Sequence, residues 1–482
     1  MPKSRLLVLW GSLVCTSVVL INLNGCGGGG SGNTPPPPPT QQKIQHVVII
    51  FQENRTPDNL FQDPKLIAAG ADIQNYGIDS KGERITLTPA PLASDFDPSH
   101  DHLSFLAMYD NGKMDGANKI VVTCQTPKTG CPPPNAPFTY VDNSTGELAP
   151  YYNLAETYTF GDRMFQTNQG PSLPAHQYII SGTSAVAPPG NTMSKYLDAE
   201  LPVGIPNADN NTGCTAPPVE TVLLIDSTNF DPNTNETQTM YPCFDHPTLT
   251  DLLNTAKVSW KYYAPLAGSI WTAPNAIQHM CGPNAPIPNA TQCIGSDWTQ
   301  NVVLNYTQVL TDISSGQLSS VSWVIPNASV SDHAGINNGT GPSWVASVVN
   351  AIGNSPYWSN TAILIAWDDW GGFYDHVPPP TPFVNSYEMG FRVPLIVVSP
   401  YAKAAYISHV QHDFGSILKF IEETFGLPAI APGAGYADEA ADDLSDCFDF
   451  TQTPLTFQTV PAQLDASHFL NDKSPPIGPD DD

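Results

Sequence analysis

Two apolar runs in this sequence end in carboxylates. Val47-Val48-Ile49-Ile50-Phe51 leads into Gln52-Glu53-Asn54-Arg55, and Ala362 to Ala366 leads into Trp367-Asp368-Asp369-Trp370-Gly371-Gly372. Adjacent Asp368 and Asp369 repel unless a cation or several donors neutralise them. Trp367, Trp370 and two glycines hem the pair in and make free solvation harder. Glu53, Asn54, Asp368 and Asp369 together supply hard oxygen ligands for at least one divalent metal ion, with Zn, Ca, Mg, Mn and Fe all open. A solvated acidic turn is the plain alternative. A third segment, Asn168-Gln169-Gly170-Pro171-Ser172-Leu173-Pro174-Ala175-His176, puts Ser172 where a helix can begin. A hydroxyl beside unpaired helix N–H groups suits attack on phosphorus, with the helix start cradling the anion. An ordinary N-cap serine reads the same way.

These residues need elements to position them. Four apolar runs read as strands, at 47–51, 321–325, 362–366 and 394–398, and three are continuous, as expected for a mostly parallel sheet buried on both faces. Helical periodicity appears at Thr248–Lys257, Ser343–Ile352 and Asp413–Phe425, the last with an apolar stripe of Phe414, Ile417, Leu418, Ile421 and Phe425 and with Gly426 as its stop. Strands alternating with helices predict one layered α/β/α domain around a mostly parallel central sheet. In such sheets ligands sit beyond the carboxyl ends of the strands, which is where the carboxylates fall. Residues 185–247 and 265–300, rich in Pro, Asn and Thr and holding most cysteines, read as long surface insertions.

The rest of the sequence narrows the setting. With 45 Asp+Glu against 18 Lys+Arg, the net charge is −27, so the chain lacks the basic footprint that nucleic acid requires. Hydrophobic residues at 41% and aromatics at 10% exclude a disordered chain. Lys3 and Arg5 followed by an apolar run to Leu23 and then Asn24-Gly25-Cys26 resemble a lipoprotein signal at 1–25, with a lipid on Cys26 and export to the cell envelope as the expectation; an uncleaved anchor, or a secreted or periplasmic chain, is the alternative. Residues 26–43, with a Gly27–Gly30 run and Pro35–Pro39, read as a tether; 44–470 read as the domain and 471–482 as an acidic, solvated tail. Three local disulfides are expected, Cys124–Cys131, Cys214–Cys243 and Cys281–Cys293, with Cys447 left over. No C-x-x-C spacing occurs, so a zinc site built on the cysteines is not expected.

Taken together, these motifs resemble the phosphoesterase family of bacterial phospholipases C and acid phosphatases, within the alkaline-phosphatase-like superfamily. Residues 53–58 match the family's opening Glu-Asn-Arg-Ser-Phe-Asp except that Thr56-Pro57 replaces Ser-Phe. Asp97-Pro98-Ser99-His100 leads to Gly112-Lys113-Met114-Asp115-Gly116, and Ala117 stands where an aromatic is usual. Gly170-Pro171-Ser172 matches the nucleophile turn, Asp332-His333 the acidic-His segment, and 368–379 and 392–400 the closing blocks. The matches run in order from about 46 to 427.

The resemblance implies metal ligands Glu53, Asn54, Asp368 and Asp369, with the ion also touching Ser172. It implies attack by Ser172 and a phosphoseryl intermediate hydrolysed by water. His100, His333 and His376 are the candidates for clamping phosphoryl oxygens and protonating the leaving group; His102 competes with His100. Asn54 and His176 are candidates for binding the substrate, and His409 and His412 read as structural residues ahead of the 413–425 helix. Phospholipid and small phosphomonoester substrates stay open. A sulfatase is disfavoured because Ser172-Leu173-Pro174-Ala175-His176 lacks the Arg of the Cys/Ser-x-Pro-x-Arg motif. The alternative from another class is a non-catalytic surface lipoprotein that binds a phosphorylated ligand or partner.

Overall fold

The apolar runs become a single twisted sheet. The computed structural model describes residues 43–126, 129–199 and 212–478. The segment at 1–25, the Cys26 anchor, the tether up to residue 42 and the final acidic residues 479–482 lie outside the described residues.

The central sheet comprises β1 (His46–Gln52), β2 (Thr159–Gly161), β3 (Trp260–Tyr263), β4 (Val302–Val303), β5 (Val321–Val324), β6 (Thr361–Trp367), β7 (Leu395–Val398) and β8 (Tyr406–Ser408), ordered β4-β3-β5-β1-β6-β7-β2-β8. All neighbours pair in parallel except at β7, which is antiparallel to both β6 and β2. The expected mostly parallel sheet is therefore present, with the 394–398 run reversed inside it.

Register is what matters for chemistry. β1 and β6 pair in phase from His46↔Thr361 to Gln52↔Trp367. Glu53-Asn54 and Asp368-Asp369 thus leave neighbouring strands at the same level, and two segments more than 300 residues apart become one acidic edge.

Five helices carry the layers: α1 (Ala149–Thr157), α2 (Ser172–Ser181), α3 (Leu249–Ala256), α4 (Gly341–Gly353) and α5 (Phe414–Phe425). Side chains alternate across a strand. Phe51 meets His176 of α2 and Phe414 of α5, with ring centroids 5.3 and 5.1 Å apart, whereas Trp367, one level further on, meets Tyr151 of α1 at 5.1 Å. The helices therefore cover both faces. α5 begins and ends as its sequence reads: Asp413 accepts from the Ser416 N–H in a capping box, and Gly426 closes the helix in the left-handed region at φ +67°. α3 is framed the same way by the Thr248–Asp251 capping box, while α4 starts two residues earlier than its periodicity suggests.

All three expected disulfides are present and Cys447 is unpaired and buried. The insertions are only partly superficial. Strands at Tyr196–Asp198, Val222–Asp226 and Glu236–Met240 form a small antiparallel sheet, but Trp271, Ile277 and Met280 of the second insertion are fully buried in the main core. Composition marks a segment as polar on average; it does not show which few apolar residues drive inward. The 471–478 segment also returns to the domain, where the Ile477 N–H donates to Asn327 Oδ1 at 2.8 Å. No helix among the described residues is long and apolar enough to cross a membrane.

Candidate active site

Beyond the ends of β1 and β6, the sequence-selected side chains meet in a buried cluster. The Asn54 N–H donates to Asp368 Oδ1 at 2.9 Å, and its Nδ2 donates to His100 Nε2 at 2.7 Å and to Asp369 Oδ2 at 3.4 Å. Asn54 holds φ +60°, a conformation that asparagine tolerates better than most residues. That backbone turn lets one residue reach both carboxylates and the imidazole. Asp369 Oδ1 accepts from the Gly371 N–H at 2.7 Å, and Gly371 and Gly372 occupy the left-handed region, which folds the chain back over Asn54.

Ser172 begins α2. Its Oγ donates to Asp369 Oδ2 at 3.3 Å, and the side chain is fully buried. Pro171 and Pro174 carry no N–H, so the donors exposed by the helix start are those of Ser172 and Leu173. Gln166 fixes this turn: its Nε2 donates to the carbonyls of Asn168 and Gly170 at 2.8 and 3.1 Å, while its Oε1 accepts from the Trp370 N–H at 3.0 Å. One buried amide therefore ties the serine turn to the Asp368-Asp369 turn. Gly170 is required there, since a Cβ would lie 2.3 Å from the Tyr387 hydroxyl.

One helical turn after Ser172, His176 Nε2 stands 3.3 Å from Glu53 Oε1 and 3.9 Å from Asp368 Oδ2. Burial pushes the His176 imidazole down to about 4 against the pull of Asp368, so it is neutral at pH 7. Neutral imidazole is the ligating form. His176 Nε2, Asp368 Oδ2 and Asn54 Oδ1 are buried and make no hydrogen bond. One ligand atom each from Glu53, His176 and Asp368 lies within 4.8 Å of the others. Three buried carboxylates with a neutral imidazole and amide oxygen form a donor set that fits a divalent cation and is costly to bury without one.

Two further histidines line the site. His100 donates Nδ1–H to the Pro98 carbonyl at 2.9 Å, which leaves Nε2 as the acceptor for Asn54 and 4.0 Å from Asp369. His333 holds Nδ1 on the Ala334 carbonyl at 2.7 Å, with its ring 5.7 Å from His100 and 5.9 Å from Trp271. His102 turns elsewhere and bonds the Gln169 carbonyl at 2.9 Å, where it supports the serine turn. His376 joins a different cluster: Nδ1 is 2.7 Å from Asp58, Nε2 is 3.0 Å from Asp72, and Arg392 binds the adjacent Asp375 through two parallel contacts of 2.8 and 2.9 Å. Both ring nitrogens of His376 are thus committed to carboxylates. Asp332 is likewise structural, accepting from the Tyr151 hydroxyl at 2.7 Å and the Trp367 indole at 3.0 Å.

The structure therefore brings together Glu53, Asn54, His100, Ser172, His176, His333, Asp368 and Asp369, and places His376 apart. Sequence reasoning did not single out Gln166 or Trp271. Gln166 lies two residues ahead of the Asn168–His176 segment with no telling spacing. Trp271 sits in the unalignable second insertion yet stacks on His176 at 6.3 Å.

A buried serine at a helix start thus faces carboxylates and histidines at the ends of parallel strands. Residues 44–428 match the model of the Phosphoesterase family, and the chain belongs to that family. It is a hydrolase acting on phosphoric ester bonds. Phospholipase C B of Mycobacterium tuberculosis is 26% identical over 461 residues, covering 85% of this chain and 78% of that protein. The hemolytic phospholipase C of Pseudomonas aeruginosa is 24% identical, covering 88% of this chain and 59% of its own length. A solved structure of a protein in the alkaline phosphatase superfamily from Vibrio parahaemolyticus is 12% identical with a TM-score of 0.32, covering 62% of this chain and 65% of that one.

Proposed function

We propose that this chain is an exported, metal-dependent phosphoesterase that works through a phosphoseryl intermediate on Ser172. The observation that carries the reading is Ser172 Oγ at the start of α2, bonded to Asp369 and one helical turn from the Glu53–His176–Asp368 cluster. Glu53, Asn54, Asp368, Asp369 and His176 would hold the ion, which when bound lowers the serine pKa and screens phosphoryl charge.

This chain's residues do the remainder. The Ser172 and Leu173 N–H groups receive a phosphoryl oxygen at the positive end of α2. Asp369 orients the Ser172 hydroxyl. As the Oγ–P bond forms, Asp369 takes the Ser172 hydroxyl proton and the bond from phosphorus to the leaving oxygen breaks. His333, protonated on Nε2, delivers that proton to the leaving oxygen while His100 steadies Asn54; the water of the second step reprotonates His333, and Asp369 returns its proton to Ser172. Water then cleaves the phosphoserine and restores the hydroxyl. The names of the two relatives support a phosphodiester of a lipid headgroup as the substrate, with a small phosphomonoester as the competing one. A chain near −27 repels anions at long range, so binding has to be local, at the metal and the helix start. Lipid attachment at Cys26 would hold the enzyme at a membrane.

The test is hydrolysis of a chromogenic phosphomonoester and of its phosphocholine diester by wild type and Ser172→Ala, with metal content measured on both. We expect kcat/KM to fall on the order of 10³-fold or more in the variant while it keeps its fold. Undiminished turnover in Ser172→Ala would refute the covalent route, and no turnover of either ester by metal-loaded wild type would favour a binding role.

A further inference from the structure

A second cluster of ligand-type side chains lies at the border of the sheet, three strands from β6, where β8 ends and the chain turns toward α5. Ser408 closes β8, His412 precedes the α5 cap, and Asp442, Asp446 and Cys447 come from the segment that follows α5 and packs against the sheet edge. Cys447 Sγ is 3.9 Å from His412 Nε2 and 3.5 Å from Asp446 Oδ1, and His412 Nε2 is 3.4 Å from that same oxygen. His412 and Cys447 are buried.

These three separations can be compared with what an ion demands. Zinc bonds of about 2.3 Å to sulfur and about 2.0–2.1 Å to nitrogen and oxygen, set at tetrahedral angles, give ligand separations of about 3.6 Å from sulfur to nitrogen or oxygen and about 3.4 Å from nitrogen to oxygen. The observed 3.5 and 3.4 Å match, and the 3.9 Å sulfur–nitrogen edge closes with a small side-chain rotation. The groups behind the ligands also fit. His412 Nδ1 stands 2.8 Å from Asp442 Oδ1 without forming a hydrogen bond and Nε2 lies 3.1 Å from Ser408 Oγ, so a small ring rotation would let Asp442 accept from Nδ1–H and leave Nε2 to the ion. Asp446 Oδ2 accepts from Ser408 Oγ at 2.5 Å, which leaves Oδ1 on the ligand side. His412 itself is held by its backbone, its N–H donating to the Arg163 carbonyl at 2.9 Å.

We infer that Cys447, His412 and Asp446 form a second metal site, for a borderline-soft divalent ion of the zinc type, with the fourth position left to Ser408 or water. Binding releases the thiol proton to solvent and pins the segment around 442–448 to the edge strand β8. A nucleophilic thiol is excluded by the full burial of Cys447, because no substrate reaches Sγ. The site escapes a motif search because its ligands follow a His-x33-Asp-Cys spacing, unlike any C-x-x-C pattern. It does not depend on the catalytic reading, since it shares no residue with that cluster.

The test is to express the full chain in cobalt-supplemented, zinc-depleted medium and record its absorption spectrum. A cysteine thiolate on cobalt gives a near-ultraviolet charge-transfer band that the catalytic cluster, which has no sulfur, cannot produce. We expect that band in wild type with one equivalent of cobalt beyond the catalytic complement, and its loss with that equivalent in Cys447→Ser. Cobalt-loaded wild type without a thiolate band, or with a band that persists in Cys447→Ser, would overturn the assignment. The wild-type spectrum decides the matter even if the variant fails to fold.

Discussion

Gly371 offers a measurement of how closely the carboxylate turn is fitted to Asn54. A methyl group at this position would lie 2.4 Å from the Asn54 carbonyl oxygen and 2.9 Å from its Cβ, where ordinary contact begins at 3.4 Å. In Gly371→Ala, Asn54 therefore retreats by about 1 Å, and displacements of that size at a reacting centre cost about 10²-fold in rate. Asn54 holds Asp368 through its N–H and His100 through its amide, so both move with it. The variant also carries left-handed strain of about 1–2 kcal/mol, because Gly371 sits at φ +62°. Gly82 separates the two effects: it has φ +80° and nothing within 4 Å of an added Cβ. We expect Gly82→Ala to lose about 1–2 kcal/mol in urea unfolding with unchanged kcat/KM on a chromogenic phosphoester. Gly371→Ala should lose at least as much stability and about 100-fold in kcat/KM. Wild-type kcat/KM in folded Gly371→Ala, or an equal activity loss in Gly82→Ala, would refute the steric argument.

Other outcomes follow from the charged cluster around Arg392. Its guanidinium is fully buried against Asp375, with Asp58 at 3.4 Å but also paired with His376, so Arg392→Ala leaves the buried Asp375 carboxylate without its cation and should cost about 3–5 kcal/mol in denaturant unfolding. His376 is pulled down by burial, but Asp58 and Asp375 outweigh that and raise its pKa overall. Stability from a raised histidine is fully present below the unfolded value near 6.5 and is lost as pH rises through the folded value. The stability gap between wild type and His376→Asn should therefore be widest near pH 5.5 and should shrink in alkaline buffer; a gap that widens with pH would contradict the assignment.

Most of the site was legible because its residues sit where local signals are strong. Apolar runs ending in Glu53-Asn54 and Asp368-Asp369 announce strand ends, and a Gly-Pro-Ser turn announces a helix start. What stayed hidden depends on register and on long-range packing. Nothing local says that Gln52 pairs with Trp367, that β7 runs backwards, or that Gln166 reaches the Trp370 amide. His376 shows the opposite failure. It stands among site residues in the sequence, yet the turn after Gly372 carries it into the Arg392 cluster, where Asp58 and Asp72 engage both ring nitrogens. Trp271 was hidden by the polar composition of its insertion.

The reversed strand has a further consequence. Because β7 returns alongside β6, with Leu395 opposite Ala366, the segment 368–394 leaves and rejoins the sheet at the same edge. It works as an oversized hairpin loop, pinned at one end by Asp368-Asp369 and at the other by Arg392. Its middle reaches solvent, and Val384 is 63% exposed. That middle stretch can be lengthened, shortened or exchanged without shifting the register of any strand. For protein engineering it is a cassette, the place to graft new rim segments and screen for altered ester preference while the reacting groups stay fixed.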